Sequence, residues 1–449
     1  MTLTARVKRS IRSSPALRAI LRNLGWLLAS RGVLGILSLF YLGFATRCLG
    51  VVDFGRFALI TGAAQAITTL VGFQTWQIIV QYGVDPLQQG QTTKLARLLR
   101  CALMLDIISA TAGIALAAAI LTFADNTLGI PDALRENTLI FAVVTLLSIR
   151  STPLGILRLR DRFAHAAIAD SMTPVTRFLG SLYALAFDPS IRGFLIAWGA
   201  AELATAAAYW ILVVRGGDLP LLRSGAADAR RVVAENPGIV SFALSTNANA
   251  TLGMSGKQIP LLLVGAMVGT SAAGAFRLSA QLAQALAKIT QLVARAAFPE
   301  VVRMAKLATP QRLGRLLPRT YLVSGLAALT IMAIVTLGGR TVLSLIGGKT
   351  YRDAYPMLLF LTAAGCLELV MISAETVLTA LNRAALVFAI RAGGVATLLV
   401  AAFVVVPSRG ATGMAIAVLA GSITVALLLA LAAARVTRGT GTEPLDEAA

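Results

Sequence analysis

Arg277, Gln281, Gln284, Lys288, Gln291 and Arg295 recur at spacings of four, three, four, three and four residues in an otherwise largely apolar stretch. At about 100° per residue, all six fall within roughly 40° of one direction on a helix, so one face is polar from end to end. A basic group at mid-bilayer costs about 2.5–3.5 kcal/mol on insertion scales, which turns Lys288 toward water or a polar partner rather than lipid. Arg277 and Arg295 have a second reading, as side chains that snorkel to the two membrane surfaces. That reading does not cover Lys288 and the three glutamines.

Two more cations fall inside apolar runs. Arg31 is one, and Lys257 is the other, in the polar run Ser245–Gln258 that ends before Pro260. A run so polar predicts a broken helix, which membranes tolerate where it lines a cavity or packs within protein. Arg31, Lys257, Arg277 and Lys288 together would form a cationic chamber suited to a pyrophosphate, although structural ion pairs are the rival for each. Ala58, Gly62, Gln65, Thr69, Gly72 and Trp76 make a small or polar stripe in an earlier run, either facing the same cavity or packing closely against another helix. Carboxylates available for ion coupling are Asp106, Glu368 and Glu375. Arg391 is placed to neutralise one of the last two, which is the structural alternative, while Asp170 and Arg177 share a face around Pro174 and read as ties between helices.

The elements that must position these residues are transmembrane. Of 449 residues, 57% are hydrophobic and 13% charged, with a mean hydropathy of +0.79; soluble domains carry about a quarter charged residues. Twelve apolar stretches, near 24–45, 56–80, 101–123, 138–157, 163–187, 193–214, 239–264, 275–298, 320–345, 355–380, 384–406 and 411–434, each suffice for a bilayer core of about 30 Å. The fold class expected is an all-α integral membrane protein. The formal charge of +20 is concentrated in alternate connectors and the tails, for example Arg158, Arg160 and Arg162, or Arg312, Arg315 and Arg319. By the positive-inside rule both termini, Arg150–Arg162 and Glu300–Arg319 are expected in the cytoplasm, and the basicity marks topology rather than a nucleic-acid partner. The basic leader is long and Arg31 interrupts the first apolar run, so no cleaved signal peptide is expected. Cys48, Cys101 and Cys366 read as small core residues, and the single histidine, His165, fits no metal site. No cofactor, metal or catalytic residue is called for.

The basic stretch from Arg215 to Pro237 falls at the chain midpoint and reads as a linker. The division is a basic tail at 1–23, a six-helix lobe at 24–214, a linker at 215–238, a second six-helix lobe at 239–435 and a tail at 436–449. A repeat at an offset of 219 residues supports it: Gly50, Gly55, Phe57, Leu59, Ala64, Gln65 and Ala66 match Gly269, Gly274, Phe276, Leu278, Ala283, Gln284 and Ala285. Six spans per lobe make the repeat parallel, with a central cavity between the lobes where many secondary transporters bind substrate.

The segment Thr46–Leu59, with its Arg-Cys-Leu-Gly turn followed by Phe54-Gly55, resembles the first inter-helix turn of the polysaccharide (O-antigen type) flippases. These lie within the multidrug, oligosaccharidyl-lipid and polysaccharide exporter superfamily. Gly269–Leu278 is similar to the counterpart turn of the second half, with Gly274-Ala275-Phe276 where Gly-x-Tyr is usual. The chain departs from relatives at Gln77 and Gln81, where a basic residue is common, and at Lys257-Gln258, near a position often acidic. The resemblance implies a non-enzymatic, alternating-access transporter of the inner membrane. Its substrate would be a polyprenyl-pyrophosphate oligosaccharide flipped outward for exopolysaccharide, capsule or O-antigen synthesis, with membrane lipids and other assembly proteins as partners. The substrate-binding set would be Gln65, Arg31, Lys257, Arg277, Gln281, Gln284 and Lys288. A drug or cation antiporter of the same superfamily is the nearest rival, disfavoured by 6% aromatic residues and the basic stripe. A glycan polymerase or ligase would need a larger outer loop than the one around Asp125–Asn137.

Overall fold

The computed structural model describes residues 15–123, 132–224, 228–297, 310–380 and 383–439, and helices dominate every part of it. Side chains of Arg31, Lys288, Gln291 and Arg295 fall outside the described set. Twelve crossings are traced among the described residues. Spans 1–6 cover 15–49, 51–88, 92–123, 132–159, 163–187 and 191–215; spans 7–12 cover 239–267, 270–297, 310–347, 355–380, 384–409 and 411–439. Seven helical runs are apolar and long enough to qualify on hydropathy alone, and two of them, 37–88 and 384–435, are long enough for two crossings each. Spans 5, 7 and 8 do not reach that mark; spans 7 and 8 carry the polar run and the polar stripe, and span 5 carries Asp170 and Arg177.

The runs Pro15–Val71 and Ala384–Gly439 bend back at Gly50 (φ 69°) and Gly410 (φ 56°), left-handed conformations that glycine adopts without a β-carbon clash. Gly269, the repeat partner of Gly50, also has a positive φ, 115°. The midpoint linker forms two short helices, Leu219–Ser224 and Ala229–Glu235. It is tied to the first lobe by ion pairs from Arg160 and Arg162 to Asp218 and from Arg97 to Glu235. The end of the bundle holding this linker is called the linker end below, and the end holding Gly50 and Gly269 the turn end.

The lobes meet closely at the turn end, where spans 2 and 8 cross. There a β-carbon on Gly55 would fall 1.8 Å from the Thr270 carbonyl oxygen, and one on Gly274 would fall 2.7 Å from the Val51 oxygen. Arg47 donates to the carbonyls of Leu345 and Ile346, closing the C-terminal end of span 9 from the opposite lobe. The first-lobe core is aromatic at this level: Tyr41 and Phe57 meet Trp198 edge-on at 5.2 and 5.1 Å. Large apolar residues such as Leu337, 88% exposed, and Leu322, Leu329 and Val404 stand on the outside of the bundle, where lipid covers them.

Span 4 corrects one expectation. The stretch Arg150–Arg162, read as a cytoplasmic connector, is mostly the helix Ser151–Leu159 that completes the crossing, and Arg150 sits in a break inside the span. In span 9 the helix starts at Pro310, so Arg312, Arg315 and Arg319 are helical; residues 300–309 lie outside the described residues.

Candidate functional site

Among the described residues three spans are interrupted, and each interruption borders a cavity. Span 2 breaks at 72–74 and restarts at Thr75; span 4 breaks at 148–150 and restarts at Ser151; span 7 breaks at Gly256–Lys257 and restarts at Gln258. Only the third was expected from the sequence. Non-helical backbone at membrane depth persists where its polar groups find partners, and at the breaks in spans 2 and 4 the partners come from elsewhere in the chain. The Thr75 hydroxyl lies 2.9 Å from Asp106 Oδ1, and the Thr152 amide and hydroxyl donate to Asp106 Oδ2 at 3.0 and 2.6 Å. The Trp76 amide donates to Ser151 Oγ at 3.1 Å, and the Gly72 carbonyl accepts from Asn247 of span 7 at 2.8 Å. Asp106 thus caps the restarted half of span 4 and ties it, through Thr75, to the restarted half of span 2, so its oxygens are engaged by both.

These breaks open onto a first-lobe cavity of about 310 Å³, lined by Gln65, Gln74, Trp76, Arg150, Asp170 and Tyr209 among others. Its charges are largely internal. Buried Glu202 receives Arg177 at 2.8 Å and Arg150 at 3.0 Å, and the buried Tyr209 hydroxyl donates to Asp170 at 2.6 Å. Sequence reasoning took Arg177 and Asp170 as ties between helices, and spans 5 and 6 are indeed joined through them. It passed over Arg150, Trp76 and Tyr209. The readable signal was Ser151-Thr152-Pro153, helix-starting residue types inside an apolar run.

In the second lobe, a cavity of about 330 Å³ is lined by Gly256, Lys257, Glu368, Glu375 and Arg391, and an adjoining one of about 230 Å³ by Lys257, Gln284 and Glu368. Arg391 grips Glu375 with two hydrogen bonds, 3.1 and 2.7 Å. Lys257 and Glu368 both open onto the space without an ion-pair partner among the described residues. Of the sequence-derived set, Lys257 and Gln284 are thus brought together beside Glu368 and Glu375. Gln65 lies across the molecule in the first-lobe cavity, and Asp106 is bonded beneath it. Arg277 Nη1 is 3.5 Å from Gln258 Oε1, next to Gly62 at the seam between lobes, and Gln281 is half-buried on the same helix. The polar stripes of spans 2 and 8 therefore reach a cavity in each lobe, and the side chains of Arg31 and Lys288 are outside the described residues.

Comparison with known proteins supplies the family. Residues 20–305 match the family described as polysaccharide biosynthesis protein, which is more than half of the chain. The chain belongs to the polysaccharide biosynthesis protein family. It is 30% identical over 349 residues to the inner membrane protein YghQ of Escherichia coli strain K12, across 76% of this chain and 96% of that one. The fold of this family member is similar to an inward-facing multidrug resistance MATE family transporter of the MOP superfamily, at a TM-score of 0.67 and 15% identity, covering 92% of this chain and all of that one. It is also similar to the lipid II flippase MurJ in an inward closed conformation, at a TM-score of 0.62 and 11% identity, covering 94% of each chain. The chain is a multi-pass membrane protein whose two-lobed fold is similar to those of the MATE transporter and of MurJ.

Proposed function

We propose that this protein flips polyprenyl-pyrophosphate-linked oligosaccharides from the cytoplasmic to the outer face of the inner membrane, for exopolysaccharide, capsule or O-antigen assembly. The observation that carries the reading is Lys257, a cation on a mid-span helix break, open to a cavity and without an ion-pair partner among the described residues. A charge held so at membrane depth suits an anionic headgroup, and a pyrophosphate offers several acceptors to it. Gln284 beside it and Gln65, Arg31, Arg277, Gln281 and Lys288 along the stripes complete the proposed path, with Glu368, Glu375 and Asp106 as carboxylates for ion coupling. A sugar-pyrophosphate does not cross hydrocarbon unaided, whereas polar cavities in two lobes that separate at alternate ends can pass it with the lipid tail outside. The linker end is assigned to the cytoplasm because Arg97, Arg100, Arg158, Arg160, Arg162 and Arg223 gather there.

Glu368 also favours a second reading, a cation antiporter, since a carboxylate open to a cavity is what a cation needs. Removing the chain from its native cell separates the two. Flipping predicts lipid-linked oligosaccharide trapped on the inner leaflet, and unchanged lipid-linked oligosaccharide with altered drug tolerance would contradict it.

A further inference from the structure

We propose that the first-lobe cavity is a sugar-recognition site, which reads the glycan while the second lobe holds the charged end of the same molecule. This rests on the flippase reading above. Glu202 is neutralised by Arg150 and Arg177, and Asp106 is taken up by Thr75 and Thr152. Groups on the wall that keep hydrogen-bonding or stacking capacity include Trp76, Gln65, Gln74 and Asp170, although Gln74 Oε1 and Asp170 Oδ1 each already accept one bond. That mixture suits an anion less than the second-lobe cavity does, because the lining cation Arg150 is already paired with Glu202 and Asp170 adds a negative charge. It is well matched to a pyranose, which offers an apolar C–H face to an aromatic ring and a rim of hydroxyls to amides that donate and accept and to a carboxylate that accepts.

The wall is fixed before any sugar arrives. The Trp76 indole N–H donates to Gln74 Oε1 at 3.1 Å, its backbone amide is held by Ser151, and the Arg158 guanidinium stacks 4.1 Å from the ring centre. Asp170 is exposed yet oriented by the Tyr209 hydroxyl. A preorganised site loses less conformational entropy on binding. The breaks at 72–74 and 148–150 border the same space and add main-chain polar groups that a continuous helix would hide. A volume of about 310 Å³ stands at the lower end of small-molecule pockets, suited to one or two sugar rings rather than a whole oligosaccharide.

The test uses the full chain, purified in detergent and fluorescently tagged, on an array of bacterial glycans printed without lipid or pyrophosphate. Wild-type protein should be retained by a subset of glycans. Trp76→Ala should weaken that binding about tenfold or more, Trp76→Phe should keep part of it, and Asp170→Asn should change which glycans are preferred. Thermal unfolding of each variant checks its fold; if Trp76→Ala does not fold, Trp76→Phe and Asp170→Asn decide. Failure of the wild-type chain to hold any glycan overturns the site, as does binding that all three variants leave unaltered. The array is independent of flipping. Headgroup translocation without glycan retention removes the sugar site alone, whereas Trp76-dependent retention without translocation keeps the site and removes the flippase reading.

Discussion

Gly55 and Gly274, equivalent positions in the two halves of the chain, pack directly against each other where spans 2 and 8 cross, with a β-carbon on Gly274 falling 3.0 Å from the Gly55 amide nitrogen. The same offset relates Gly50 and Gly269, whose backbones both take positive φ. Repeat-related residues touch each other only at the axis relating the halves, so this contact marks the seam along which the lobes separate. Because Gly55 faces backbone rather than a flexible side chain, it has no room to yield.

Gly55→Ala should therefore push spans 2 and 8 apart and weaken closure of the turn end. With Cys101 and Cys366 replaced by alanine, maleimide labelling of half-buried Cys48 reports the change. Labelling severalfold faster than in the Gly55 chain is expected, and equal rates with intact stability would show that the crossing tolerates a methyl group.

Asp106 links three spans, and its loss should be felt as stability. Asp106→Ala leaves the Thr152 amide and hydroxyl without their acceptor and should destabilise the chain by about 2–3 kcal/mol, with Asp106→Asn milder because one acceptor survives. Thermal unfolding in detergent gives the measurement. Normal stability for Asp106→Ala, with transport abolished in both variants, would instead make this carboxylate a coupling group.

Glu375 and Arg391 form a two-pronged pair at the edge of the second-lobe cavity. Removing Arg391 alone leaves Glu375 beside Glu368, so Arg391→Gln should destabilise by about 0.5–1 kcal/mol, and adding Glu375→Gln should recover most of it. A double variant as unstable as the sum of the single changes would show that the pair is not coupled.

Lys257→Ala and Lys288→Ala should each insert at normal abundance and lose most export, while the arginine variants keep part, since charge survives and only geometry changes. Quantitative blotting with an export assay checks both. Loss of export that follows loss of protein would assign the lysines to folding.

The crossings were legible because each needs its own run of apolar residues, and most helix ends lie within a few residues of the apolar stretches that marked them. The repeat glycines were legible as identities, although not as a contact, since nothing local says that Gly55 meets Gly274. The break in span 7 announced itself through Ser245–Gln258. Those in spans 2 and 4 did not, because their stability comes from Asp106 and Asn247, far away in sequence. Arg150 was misread for a related reason: a cation near a connector looks like a topology signal until Glu202, on span 6, is seen to hold it.

The central claim is tested most directly by headgroup translocation in liposomes that hold this chain alone. Fluorescent polyprenyl-pyrophosphate oligosaccharide is placed in both leaflets, and the fraction open to an added, impermeant glycosidase is followed over time. The account predicts that cleavage proceeds beyond the outer-leaflet half toward completion with wild-type protein and stalls at half with Lys257→Ala. Cleavage that stalls at half with the wild-type chain, in vesicles shown to contain folded protein, would contradict it.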